Sequence, residues 1–179
     1  MSIQAGTYTF GPESGTLSVR TSRIGAAAKA GHDLLIHVTV WQATLEVGED
    51  PLQIGIVFDA DPTSLHVQEG TGGIKALGKD DKSSIRETID DDVLRRKPIE
   101  FRSTAVRPSD GGRVAVEGEL TLAGKTAPIA FDVTIGDDGS VQGSAVVKQS
   151  NWGIKPYSAL FGALKVADDV TISIDAKPG

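Results

Sequence analysis

The chain has 179 residues, of which 39% are hydrophobic, and 18 Lys and Arg stand against 24 Asp and Glu for a net charge of −6. That length suits one domain, residues 1–179, with a sizeable core, and an acidic chain without a basic stripe is not expected to have a nucleic-acid partner. There is no cysteine, which excludes disulfides, thiolate nucleophiles and cysteine-based metal sites.

The opening, Met1-Ser2-Ile3-Gln4-Ala5-Gly6, has no basic stretch followed by an apolar run. The expectation is therefore a cytoplasmic protein without a secretory leader. No window approaches the ~20 apolar residues of a membrane helix, so stable membrane insertion is not expected.

Alternation of apolar and polar residues then dominates the chain. It runs through Leu17–Thr21 and Leu52–Asp59, then Val114–Leu122, Ile129–Ile135 and Val170–Asp175. Each such segment predicts a strand that buries one face. Between 34 and 47 the parity switches. Leu34, Ile36, Val38 and Val40 share one phase, and Trp41, Ala43, Leu45 and Val47 the other. A bulge near Val40 reconciles them. Turn chemistry separates the strands: Gly48-Glu49-Asp50-Pro51, Ser109-Asp110-Gly111-Gly112, Ala123–Pro128 and Gly136–Ser140 are hairpin connections. Consecutive strands joined by short turns form an antiparallel meander, and a sheet this long tends to close and lose its edges. The predicted class is all-β, an antiparallel up-and-down barrel with one amphipathic α-helix. That helix is expected over Asp80–Lys97, with Ile85, Ile89, Val93 and Leu94 as its apolar stripe laid on the barrel. Acidic residues at its start and Arg95-Arg96-Lys97 at its end match the helix dipole, and Pro98 stops it.

Several segments suggest chemistry and fail on inspection. Gly73–Lys79 has phosphate-loop spacing, but Asp80 stands where Ser or Thr would hold magnesium; a glycine-rich loop leading into the helix explains it better. His32 and His37 are five apart, so on a strand they face opposite sides and cannot share a metal locally. His66 could meet one of them across strands, although a structural role is the better expectation for each. Asp90-Asp91-Asp92 lacks the alternating ligands of a calcium loop and reads as a solvated helix face. Catalytic residues, metal sites and cofactors are not expected. The aromatic residues Trp152, Tyr157 and Phe161 cluster outside the strand pattern, either as the mouth for an apolar ligand or as a plug of one barrel end.

The order of these pieces resembles the YceI-like polyisoprenoid-binding family, a lipocalin-like antiparallel barrel. The resemblance rests on Gly6-Thr7-Tyr8-Thr9-Phe10, on Leu17-Ser18-Val19-Arg20 before Gly31-His32-Asp33-Leu34, and on Pro98–Thr104 after the helix. It rests further on Gly118–Ile129, the most specific stretch, and on Asn151-Trp152-Gly153-Ile154. It covers nearly the whole chain. It implies a barrel enclosing an isoprenoid-like lipid, a polyprenol or a quinone tail, with no catalysis. A homodimer stays open. The alternative is a non-catalytic structural or protein-interaction barrel with a filled core.

Strand parity names the residues expected to line such an interior: Leu17, Val19, Ile36, Val38, Ile54, Ile56, Phe58, Phe101, Val116, Leu120, Phe131 and Val133. Trp152, Tyr157 and Phe161 join them at the mouth. A polar headgroup would meet His32, Lys155 or Tyr157.

Overall fold

Alternation along the chain becomes strand after strand, each with one buried face. The structure, a computed structural model, describes residues 3–50, 52–159 and 164–179. The strands are β1 (Gly6–Phe10), β2 (Gly15–Thr21), β3 (Arg23–Ile24), β4 (Asp33–Val38), β5 (Trp41–Val47), β6 (Ile54–Ala60) and β7 (Leu65–Thr71). After α1 (Lys79–Thr88) follow β8 (Ile99–Pro108), β9 (Arg113–Leu122), β10 (Lys125–Ile135), β11 (Val141–Lys148), β12 (Ser158–Ala159), β13 (Leu164–Val166) and β14 (Asp169–Ala176).

Every described pairing is antiparallel, and the pairings close a circle. β1 runs on into β2, β4 into β5, and β6 into β7, each across a short irregularity. On one side of these bends β2 pairs with β4 and β4 with β7; on the other, β1 pairs with β5 and β5 with β6. β2 also holds β14, β6 holds β8, and β8, β9, β10, β11 and β14 follow in order. The ribbons 6–21, 33–47, 54–71, β8, β9, β10, β11 and β14 thus form an up-and-down barrel that leaves few free edges. A small second sheet, β12-β13-β3, stands at one rim.

The bend at Thr39–Val40 is the one that the parity switch predicts. Val40 is turned out to solvent, and the buried set passes from Ile36 and Val38 to Trp41, Ala43, Leu45 and Val47. Backbone bonds from Thr39 N to Ser64 O (2.9 Å) and from Asp61 N to Val40 O (3.0 Å) fasten the bent ribbons to each other. Where β8 and β9 cross, a side chain at Gly118 would run into the Arg102 carbonyl and lie 2.6 Å from the Phe101 ring. The missing side chain lets Phe101 lie over the strand and reach Phe131, ring centroids 5.5 Å apart.

The helix departs from expectation at its end. Regular α-helix stops at Thr88 and passes into a wider π turn over Ile89–Val93, closed by Leu94 N to Ile89 O at 2.8 Å. Arg95 and Arg96 then take left-handed backbone angles, φ 56° and 54°, so the Arg95-Arg96-Lys97 cluster reverses the chain toward β8 and does not end a helix. Arg96 donates to Asp91 at 2.8 Å. The wider turn also rotates Asp90 inward. It is 6% exposed, and its Oδ1 has no partner among the described residues. Asp91 and Asp92 are exposed as expected; Asp90 is not part of a solvated face.

Candidate functional site: an apolar chamber with a polar rim

The barrel interior is packed in one part and hollow in another. In the packed part Val47, Ile54, Val106, Val114 and Val116 are all buried, Val114 and Val116 completely. These β-branched side chains pack together outside the chamber lining, whereas Val133, the cross-strand partner of Val114, and Ile135 reach the chamber. The chamber is about 580 Å³, within the usual range for small-molecule sites.

Alternation builds its walls. β2 contributes Leu17 and Val19, β4 Leu34, Ile36 and Val38, β6 Ile56 and Phe58, and β8 Phe101. Leu120 comes from β9, Phe131 and Val133 from β10. β11 presents Val141, Gly143, Ala145 and Val147, and β14 presents Val170, Ile172 and Ile174. The helical segment supplies Ile85, Ile89, Val93 and Leu94. Its stripe, expected to lie against the barrel, is itself part of the chamber wall.

Four residues expected at the site lie elsewhere, and one cannot be placed. Ile54 and Val116 are buried but do not line the chamber. Parity fixes which face a residue joins, not how far along the barrel the space extends. Trp152 is buried behind the wall, where its indole N–H donates to the Leu120 carbonyl at 2.7 Å; the adjacent Ile154 reaches the chamber instead. Lys155 is exposed and does not touch the chamber. Phe161 lies outside the described residues. Strand parity also held the signal for Val170, Ile172 and Ile174 of β14, which the expected lining omits.

Thr44, Ser84, Thr88, Ser144 and Gln149 also belong to the lining, and the open end carries Thr21, Arg23, His32, Tyr157 and Lys165. Most are already bonded. Arg23 Nη1 donates to Gly31 O (2.6 Å) and Thr71 O (2.9 Å), and its backbone N–H donates to Asp33 Oδ1 at 2.9 Å. His32 Nε2 donates to Lys75 O at 2.7 Å. Gly72 and Gly73, at φ +82° and +76°, press their loop so closely onto Arg23 and His32 that side chains there would collide. Among the described residues, the Tyr157 hydroxyl and the Lys165 ammonium have no partner, so a polar group entering the mouth meets these two first.

His37 and His66 are direct cross-strand partners between β4 and β7, on the face opposite Ile36 and Val38. They meet away from His32, which lines the mouth. Among the described residues no group of three or more His, Asp or Glu is arranged to hold a metal ion. Also among the described residues, no helix is long and apolar enough to cross a membrane.

Closed antiparallel ribbons around an internal apolar chamber, with a helix in its wall, define a lipocalin-like β-barrel. The sequence profile of the YceI-like domain matches residues 8–177, and the chain belongs to that family. Among solved structures it is similar to Burkholderia cenocepacia BcnA, at 18% identity and TM-score 0.69, covering 90% of this chain and 94% of that one. It is also similar to the Campylobacter jejuni YCEI protein, at 14% identity and TM-score 0.56, covering 79% and 82%. No curated protein matches the chain by sequence.

Proposed function

We propose that this barrel binds an apolar, isoprenoid-like lipid in its chamber, for carriage or storage, and performs no chemistry on it. The observation that carries the reading is the chamber itself: 580 Å³ walled mainly by Ile, Val, Leu and Phe, with its basic side chains, Arg23 and Lys165, at one rim. Water gains few hydrogen bonds from such walls, whereas each buried CH₂-sized group of a tail gains about 0.8 kcal/mol. If each heavy atom takes about the 30 Å³ that a water occupies in the liquid, the chamber holds on the order of 20 carbons. That is about four isoprene units; the remainder of a longer polyprenol or quinone tail would extend through the mouth. Tyr157 and Lys165 offer a donor and a cation to its head. The hollow half also weighs against a purely structural barrel filled by its own side chains.

Organic extraction of the purified protein followed by mass spectrometry tests the reading, together with loading of added polyprenols. Co-extracted or newly bound isoprenoid is expected at close to one per chain. A clean extract combined with no uptake would refute carriage.

A further inference from the structure

We propose that the open end of the barrel docks reversibly onto anionic phospholipid bilayers and holds the chamber mouth against the membrane. The inference goes beyond lipid binding; only its use, exchange of cargo with the bilayer, rests on that reading.

Three stretches make the rim: residues 22–32, residues 72–78, and the pair 153–159 and 164–167. They are fastened together. β3 pairs with β13 and β13 with β12, Ala167 N donates to Ser22 O at 2.7 Å, and Arg23 and His32 bond the carbonyls of Thr71 and Lys75. These stretches carry Arg23, Lys29, Lys75, Lys155 and Lys165 and not one Asp or Glu. Removing those five from the chain's 18 Lys and Arg leaves 13 against 24 Asp and Glu. An acidic protein therefore has one cationic end, and it is the end at which the chamber opens. Lys29, Lys75, Lys155 and Lys165 are exposed and form no ion pair among the described residues.

The flanking carboxylates scarcely offset this charge. Asp33 is engaged by Arg23, Asp81 accepts Gly78 N at 2.9 Å, and Asp168 accepts Ser150 N at 2.8 Å. Among the described residues, Asp80 and Asp169 beside the rim are without such a bond.

Apolar side chains stand out among the cations. Ile74 is 85% exposed, Tyr157 52% and Ile24 46%, all on these same stretches. Cations alone would suit any polyanion. Cations interleaved with exposed isoleucines and a tyrosine suit a surface that is anionic outside and oily just beneath, which is the chemistry of a bilayer containing acidic phospholipid.

Sedimentation with phosphatidylcholine vesicles, with and without phosphatidylglycerol, tests this on the intact protein. Pelleting is expected only with phosphatidylglycerol, and release is expected as salt rises from about 0.1 to 1 M, where the screening length falls from about 10 to 3 Å. Each basic residue at an anionic surface contributes about a fivefold gain in partitioning. The triple variant Lys29→Glu, Lys75→Glu, Lys155→Glu, none of whose side chains lines the chamber, should bind about 100-fold or more weakly. Ile74→Ser should weaken binding while keeping its salt dependence.

Three results overturn the proposal: wild-type protein that ignores both vesicle types, which would leave the rim to an acidic protein partner; equal pelleting with neutral vesicles; or a triple variant that pellets like wild type. Extraction of the same samples reads the chamber independently. Lipid-loaded protein that fails to pellet overturns docking alone, and lipid-free protein that cannot be loaded yet pellets overturns the chamber reading alone.

Discussion

Ala145 offers a direct way to separate the chamber from the rest of the fold. It lies on β11 between Gly143 and Val147, on the face that lines the hollow half. Ala145→Phe puts a phenyl ring into that space, taking about 180 Å³ at roughly 30 Å³ per heavy atom. Nearly a third of the 580 Å³ is then occupied by protein. A tail deprived of that volume loses about six CH₂-sized contacts, a ceiling near 5 kcal/mol at about 0.8 kcal/mol each. Part of the tail can withdraw toward the mouth, so about half of that loss is expected, roughly 30- to 100-fold in affinity. Fold stability should scarcely change, because the ring enters empty space and does not push into packed atoms. Native mass spectrometry of polyprenol-loaded protein, with displacement of a fluorescent apolar probe, reads the affinity; a thermal melt reads the stability. Wild-type affinity in a normally folded Ala145→Phe protein would show that the lipid sits elsewhere and would refute the chamber argument.

Three further outcomes follow from local geometry. Trp152→Phe removes the indole donor from the buried Leu120 carbonyl and should cost about 1–3 kcal/mol, seen as a fall of several degrees in Tm. Gly118→Ala forces a methyl against the Phe101 ring and the Arg102 carbonyl; a loss of about 1–3 kcal/mol is expected in a urea midpoint at unchanged slope. The Thr63 backbone N–H, and then its hydroxyl, hold the Asp61 carboxyl below its ordinary pKa. Because the folded-state value is the lower one, these bonds stabilise the fold above the ordinary carboxylate range and are lost as pH falls from about 4. Asp61→Asn should flatten that acid limb of the Tm profile, and an unchanged limb would contradict the assignment.

Much of the architecture was legible because a strand carries its own record of which face it buries. Leu17 and Val19, or Ile56 and Phe58, needed nothing beyond alternation to be placed on the inner surface, and the parity switch at Val40 announced the bend. Depth along the barrel left no such record. Ile54 and Ile56 share a phase, yet only Ile56 meets the chamber, because ribbon tilt and register, not parity, decide where packing ends. The π turn was hidden for a similar reason. A single wider turn rotates Asp90 from the solvent side to the buried side without changing the composition that predicted a helix there. The mouth was read least well: Lys155 was expected where Lys165 lies, since the loops that assemble the rim meet only through long-range pairing of β3, β12 and β13.

Val114, Val116 and their neighbours fill one part of the barrel interior, and the chamber in the remainder reaches the rim that carries Tyr157 and Lys165. An apolar tail entering by that rim would slide in lengthwise, tail leading. Residence time should therefore rise with the length of hydrocarbon inserted, while the group at the trailing end stays within reach of whatever waits outside.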